Sequence, residues 1–168
     1  MPNWCMNEVT VTGDEMDLIR FRNLVKSEAE SFSFQSVIPM PDELMGTNSP
    51  VTIMTEVEIA EHKEKEKINP TPLPFNFNPM TQEQSDRLTE QYGTNNWYDW
   101  AYDNWGTKWD TSDVERKDSI ESVDYIFQTA WCPPEPIYEH LVALFPNLYI
   151  NWYYREDGME MAGYLNND

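Results

Sequence analysis

At 168 residues the chain has the length of one domain, or of one domain carrying a large insertion. Its 40% hydrophobic and 14% aromatic content excludes a disordered polymer, and no run of about eighteen apolar residues occurs that could cross a membrane as a helix. Thirty acids against eleven bases leave a formal charge of −19, which repels nucleic acid and anionic membranes and attracts basic proteins.

Asn3 to Thr12 alternates, with Cys5, Asn7, Val9 and Val11 on one side, and predicts a first strand. Thr12 is the expected N-cap of a helix running to about Glu30, with Glu15 completing a capping box. Leu18, Phe21, Leu24 and Val25 form its apolar stripe. Phe32 to Ile38 predicts a second strand, stopped by Pro39 and Pro41.

From residue 42 to 118 the texture changes to that of a long, mostly helical insertion. Val51 to Lys67 interleaves five glutamates with three lysines, which predicts a charged, solvated helix. Asn69 to Pro79 carries four prolines and is expected to be extended. Thr81 is the expected N-cap of a helix closed by Gly93.

Asn95 to Asp110 then holds four of the seven tryptophans. Read as a helix, Trp97, Ala101 and Trp105 share a face with Trp100 and Asn104 beside them, Tyr98, Tyr102 and Trp105 form a second face, and Gly106 is placed to end it in the left-handed conformation. Such a segment is either a core anchor or a surface presenting rings to a partner, and the spacing leaves both open.

Ser119 to Trp131 predicts a third strand, and Pro133 to Pro136 opens a second amphipathic helix. Leu148 to Tyr154 and Met159 to Leu165 predict two last strands around the Glu156-Asp157-Gly158 turn. The order is that of an α+β, ferredoxin-like split βαβ sheet. It would be antiparallel, with two helices on one face and the helical, Trp-rich insertion between the second and third strands. Residues 1–168 would form this single domain, with 42–118 as the insertion. The first and third strands would be neighbours, bringing Trp4 and Cys5 beside Trp131 and Cys132.

Met1 to Asn7, Val9 to Gly13, the Ile38-Pro39-Met40-Pro41 step and the Asn104-Trp105-Gly106-Thr107-Lys108-Trp109-Asp110 block resemble the YubB-type ferredoxin-like proteins of phages and conjugative plasmids. The resemblance implies the fold and a mobile-element context. It implies no catalytic residues.

No phosphate-binding glycine loop, nucleophile elbow or HExxH helix is present. Cys5 and Cys132 are too few and too isolated for a zinc ribbon or a disulfide framework, so no metal and no cofactor are expected. Asp99, Asp103 and Asp110 are the one carboxylate set that suggests acid–base or metal-dependent hydrolysis, and they define the alternative function. An accessory role in which the acidity only confers solubility is a further alternative.

The main expectation is a non-enzymatic protein that inhibits a host protein with a basic nucleic-acid-binding surface, such as a defence nuclease complex. At one charge per roughly 1.7 Å of duplex, the charge corresponds to about ten base pairs, which admits DNA mimicry. The expected partner-binding residues are Trp97, Tyr98, Asp99, Trp100, Tyr102, Asp103, Trp105, Trp109 and Asp110, with Glu156, Asp157 and Glu160 of the C-terminal hairpin. The opening Met1-Pro2-Asn3-Trp4-Cys5 lacks the basic start and apolar run of a signal peptide, so the bacterial host cytoplasm is the expected location. Direct nucleic-acid and membrane binding are not expected, and the pattern does not address oligomeric state.

Overall fold

The computed structural model describes residues 3–68 and 77–166. In chain order the elements are β1 (Trp4–Thr12), α1 (Glu15–Val25), α2 (Phe34–Val37), α3 (Asp42–Met45), α4 (Glu56–Ile68), α5 (Gln82–Tyr92), α6 (Trp97–Trp105), β2 (Ser112–Asp118), β3 (Ser122–Ala130), α7 (Glu135–Leu144), β4 (Tyr149–Glu156) and β5 (Met161–Leu165). They form two compact units. The first comprises the chain up to Pro39 and from Ala101 onward, and the second comprises Met40–Trp100.

The first unit is a five-stranded sheet in the order β2-β3-β1-β4-β5, with every neighbouring pair antiparallel. With β1 central and α1 and α7 as the crossovers, it is the expected ferredoxin-like α+β arrangement with one additional edge strand. Cys5, Val9 and Val11 of β1, Val123, Tyr125 and Phe127 of β3, and Ile150 and Trp152 of β4 turn one face inward. Leu18, Phe21 and Val25 of α1 and Ile137, Tyr138 and Leu141 of α7 cover that face. Phe21 meets Tyr125 at 6.3 Å and Tyr138 meets Trp152 at 6.0 Å, so both helices lie on one side, as expected. Within this layer Asn7 is buried and satisfied. It accepts from the Trp152 indole and donates to Thr129 Oγ1 and the Cys5 carbonyl.

The second strand is not where the hydrophobic pattern places it. Phe32 to Ile38 holds only the one-turn helix α2, and the sheet's second strand is Ser112–Asp118, inside the segment expected to be helical insertion. The helical segment therefore follows α1 and precedes the second strand. Phe32 and Phe34 are buried two residues apart, which mimics strand alternation. Their rings instead plug the helical side of the sheet: Phe32 lies 5.1 Å from Tyr125 and 5.0 Å from Phe127, and Phe34 lies 5.9 Å from Phe127. The true edge strand, Ser-Asp-Val-Glu-Arg-Lys-Asp, has a single apolar residue and is mostly exposed. Charged edge strands of this kind resist pairing with other chains but carry no hydrophobic period.

The start of α1 differs similarly. Asp14, not Thr12, is the N-cap, accepting from Met16 N–H at 2.9 Å, and the helix stops at Val25. Gly106 does end α6 at φ 77°, and a Cβ there would stand 2.7 Å from Pro136 Cδ, so only glycine fits.

The second unit has α3, α4 and α5 and a short parallel bridge between Ile53 and Met80. Thr81 and Gln84 form the capping box of α5, and Gly93 closes it at φ 80°, both as expected. Helix α4 is the charged helix that the glutamate–lysine spacing predicts, and none of its residues is buried. Most of the proline-rich stretch from Asn69 lies outside the described residues.

Candidate interaction surfaces

The Trp-rich stretch divides by burial. Trp100 and Trp105 are buried, and the Trp105 indole donates to the Ile38 carbonyl at 2.8 Å. Trp97, Tyr98 and Tyr102 are half-buried, with the Trp97 and Tyr98 rings 5.7 Å apart. Trp109 is 41% exposed, stands 6.3 Å from Trp4, and carries the Lys108 ammonium 3.9 Å above its ring. Two of the tryptophans thus serve as core anchors, and Trp109 faces outward.

The acidic members of the expected set also divide. Asn96 caps the start of α6: its Oδ1 accepts the Asp99 amide at 3.0 Å, while its Nδ2 donates to the Asp99 carboxylate at 2.8 Å. Asp110 accepts from the Ser33 hydroxyl and from the amides of Phe34, Gln35 and Thr111. Glu156 is 1% exposed and accepts from the Gly158 and Met159 amides, closing the β4–β5 turn. The Asp110 and Glu156 carboxylates bond backbone amides, and the Asp99 carboxylate bonds the Asn96 side chain. Asp103, Asp157 and Glu160 are exposed, and Asp157 pairs with Arg155 at 3.0 Å. Among the described residues, no group of three or more His, Cys, Asp or Glu could hold a metal ion.

Cys5 and Cys132 are free thiols near the open end of β1 and β3, although Cys132 follows β3 and is not on it. Trp131, at φ 73°, turns the chain there and donates its amide to the Asn3 carbonyl. Burial pushes the Cys5 thiol up to about 11 and raises Cys132 as well, so neither is an activated nucleophile. At the other end of the sheet, Arg116 and then Arg22 hold Asp118 below the usual carboxylate range. Beside them, burial lifts the Tyr125 phenol to about 12, and its hydroxyl has no hydrogen-bond partner among the described residues.

One surface was not singled out by sequence: the sheet face opposite α1 and α7. Register places Glu115, Ile126, Glu8, Tyr153 and Tyr164 in one row across all five strands. Ile126 is 43% exposed and Tyr164 56% exposed, and the Tyr153 and Tyr164 rings lie 5.3 Å apart. A hollow of about 320 Å³ in this region is lined by Glu8, Thr10, Glu115, Lys117, Asp124 and Ile126, among others. The alternation of the first strand did put Trp4, Glu8 and Thr10 on one side. It could not show that α1 and α7 both lie on the other side, nor which residues stand next to Glu8.

The last part of the chain, residues 104–168, matches the family model for the ferredoxin-like domain in Api92-like protein. The likeness extends further in three dimensions. The fold is similar to the crystal structure of a protein api92 from Yersinia pseudotuberculosis, with a TM-score of 0.54, covering 98% of this chain and 93% of that one at 14% identity. At that identity the likeness carries the fold and says nothing of activity. No curated protein matches the chain. No described helix is long and apolar enough to cross a membrane.

Proposed function

We propose that this chain is a non-catalytic acidic protein of a phage or plasmid, acting in the bacterial cytoplasm, where it binds and inhibits a host protein through that protein's basic nucleic-acid-binding surface. A defence nuclease is the partner class that the mobile-element resemblance implies. The observation that carries the reading is how few of the acids are internally neutralised. The first unit holds nineteen acids against seven bases and the second eleven against four. Among the described residues, the ion pairs to Lys and Arg engage only Asp17, Asp118, Glu64, Glu43 and Asp157. The remaining field is free to steer a basic partner and to oppose phosphate. Trp109, Asp99, Asp103, Asp157 and Glu160 are the members of the expected set that are exposed for contact.

The alternative, a metal-dependent hydrolase built on Asp99, Asp103 and Asp110, gains no support, because the Asp99 carboxylate takes the Asn96 side-chain amide and Asp110 takes the Ser33 hydroxyl and the Phe34 amide. The test is co-purification from bacterial lysate at two salt concentrations, followed by competition with duplex DNA. A captured protein should be released as salt rises from about 50 to 500 mM, where the Debye length falls from roughly 14 to 4 Å, and duplex should displace this chain. Capture that ignores both salt and duplex would overturn the proposal.

A further inference from the structure

We infer that the face of the sheet opposite α1 and α7 is where the partner docks, and that it takes an arginine-bearing segment laid across the strands; the inference rests on the acidic-binder reading above. The row Glu115–Ile126–Glu8–Tyr153–Tyr164 alternates the chemistry an arginine side chain needs. Adjacent strands are about 4.8 Å apart, so the row spans roughly 19 Å, the length of a five- or six-residue extended peptide. Ile126 lies between Glu8 and Glu115, so methylene stems can rest on it while their guanidinium groups reach a carboxylate on either side. Glu8 is directly opposite Tyr153, so a guanidinium paired to Glu8 can stack on that ring. Asp124 adds a third carboxylate to the hollow; its Oδ1 takes the Thr10 hydroxyl at 2.7 Å and its other oxygen is left for a ligand.

Three cations border the row and its hollow. Arg155 is paired with Asp157, Arg116 with Asp118, and Lys117 stands on the edge strand opposite Asp124. They leave the Glu8–Tyr153 pair unopposed at the centre. The same face already accepts a cation at its end: Trp4 is 42% exposed and contacts Trp109, over which Lys108 sits. A second copy of the chain is disfavoured by its own −19 charge, and a single-stranded nucleic acid, which aromatic sheet faces can also stack, is disfavoured by the three carboxylates.

The probe is a fluorescein-labelled peptide of alternating arginine and glycine, with a lysine–glycine counterpart, titrated by anisotropy against the whole chain at about 50 mM salt, where surface electrostatics are least screened. The double variant Glu8→Gln/Glu115→Gln should bind the arginine peptide about tenfold more weakly, the scale of losing two charge-assisted contacts. Tyr153→Leu should cost about threefold with the arginine peptide and leave the lysine peptide nearly unchanged, because only the planar group stacks. The control Glu83→Gln/Glu90→Gln on α5 removes the same charge and should leave both affinities within about twofold. All these side chains are partly or fully exposed, and each variant's melting temperature is measured beside its affinity. If the control weakens binding as much as the Glu8/Glu115 pair, attraction is general and this inference falls while the acidic-binder reading stands. If wild type binds neither peptide yet still captures a basic partner in a salt-sensitive way, this inference alone falls. Loss of both would remove both. Tight binding of single-stranded oligonucleotide, or a stable dimer in solution, would overturn it as well.

Discussion

Asp110 closes the first turn of α2 from 76 residues further along the chain: its Oδ1 accepts the Phe34 amide at 2.6 Å. Its Oδ2 takes the Ser33 hydroxyl at 2.6 Å and the Gln35 amide at 3.2 Å. A remote carboxylate thus does the work of an N-cap side chain and pins the Phe32–Phe34 plug onto the sheet. Capping interactions of this kind contribute about 1 kcal/mol, and charged hydrogen bonds up to about 3 kcal/mol.

Asp110→Ala should therefore lower stability by roughly 2 kcal/mol, with Asp110→Asn losing less because one acceptor remains. Urea unfolding of both variants checks this. An Asp110→Ala chain as stable as wild type would free the residue for the hydrolase alternative.

The tryptophans of the same stretch should separate by burial. Trp100→Ala and Trp105→Ala each leave a cavity and should cost about 3–5 kcal/mol, with Trp105 also orphaning the Ile38 carbonyl. Trp109→Ala should change the melting temperature little while weakening partner capture, since its ring is 41% exposed. Melting curves beside capture assays decide the matter, and equal destabilisation by all three would make Trp109 a core residue too.

How much of this was legible depends on which residues carried a period. Leu18, Phe21 and Val25, the alternation of Cys5 to Val11, and the glycine stops at Gly93 and Gly106 all express local rules, and the structure follows them. Ser112–Asp118 and Phe32–Phe34 do not. The first is the outer arm of a tight hairpin with β3, and its side chains face water, so it carries no hydrophobic period. The second is a pair of buried rings whose backbone is pinned by Asp110, far outside any local window. The transverse row on the open face was hidden for a related reason: it draws one or two residues from each of five strands, and only register brings them together.

Glu156 illustrates the same limit. Its acidity in a hairpin suggested surface charge, but the side chain is buried and holds the Gly158 and Met159 amides at 2.9 and 2.6 Å. Glu156→Lys should disrupt the β4–β5 turn and cost several kcal/mol by orphaning those donors and burying a cation, on the order of 3–5 kcal/mol. Asp157→Lys and Glu160→Lys should leave the fold intact and weaken capture of a basic partner. The appropriate measurement is thermal unfolding of the three single variants beside salt-dependent capture. Were Glu156→Lys to fold normally and lose only capture, the carboxylate would belong to the partner surface instead.

Alkaline pH should expose the two buried neutral groups of the sheet. Cys5 is raised from 9.0 to about 11 and Tyr125 from 10.0 to about 12, chiefly because burial disfavours their anions. In the unfolded chain both release their protons earlier, so the unfolded state gains from rising pH before the folded state does. Stability from these groups is complete below about pH 9 and is lost through the pH 9–11 range for Cys5 and the 10–12 range for Tyr125. Urea midpoints should therefore fall from pH 8.5 upward, by less in Cys5→Ala measured against its own neutral midpoint. Tyr125→Phe should flatten the upper part of the decline and, at neutral pH, be as stable as wild type or more so. Its hydroxyl has no partner among the described residues, and shedding an unsatisfied buried polar group recovers on the order of 1–3 kcal/mol of desolvation. A neutral-pH loss above about 1 kcal/mol on that substitution would mean that the phenol is bonded in solution, to water or to the neighbouring Arg116.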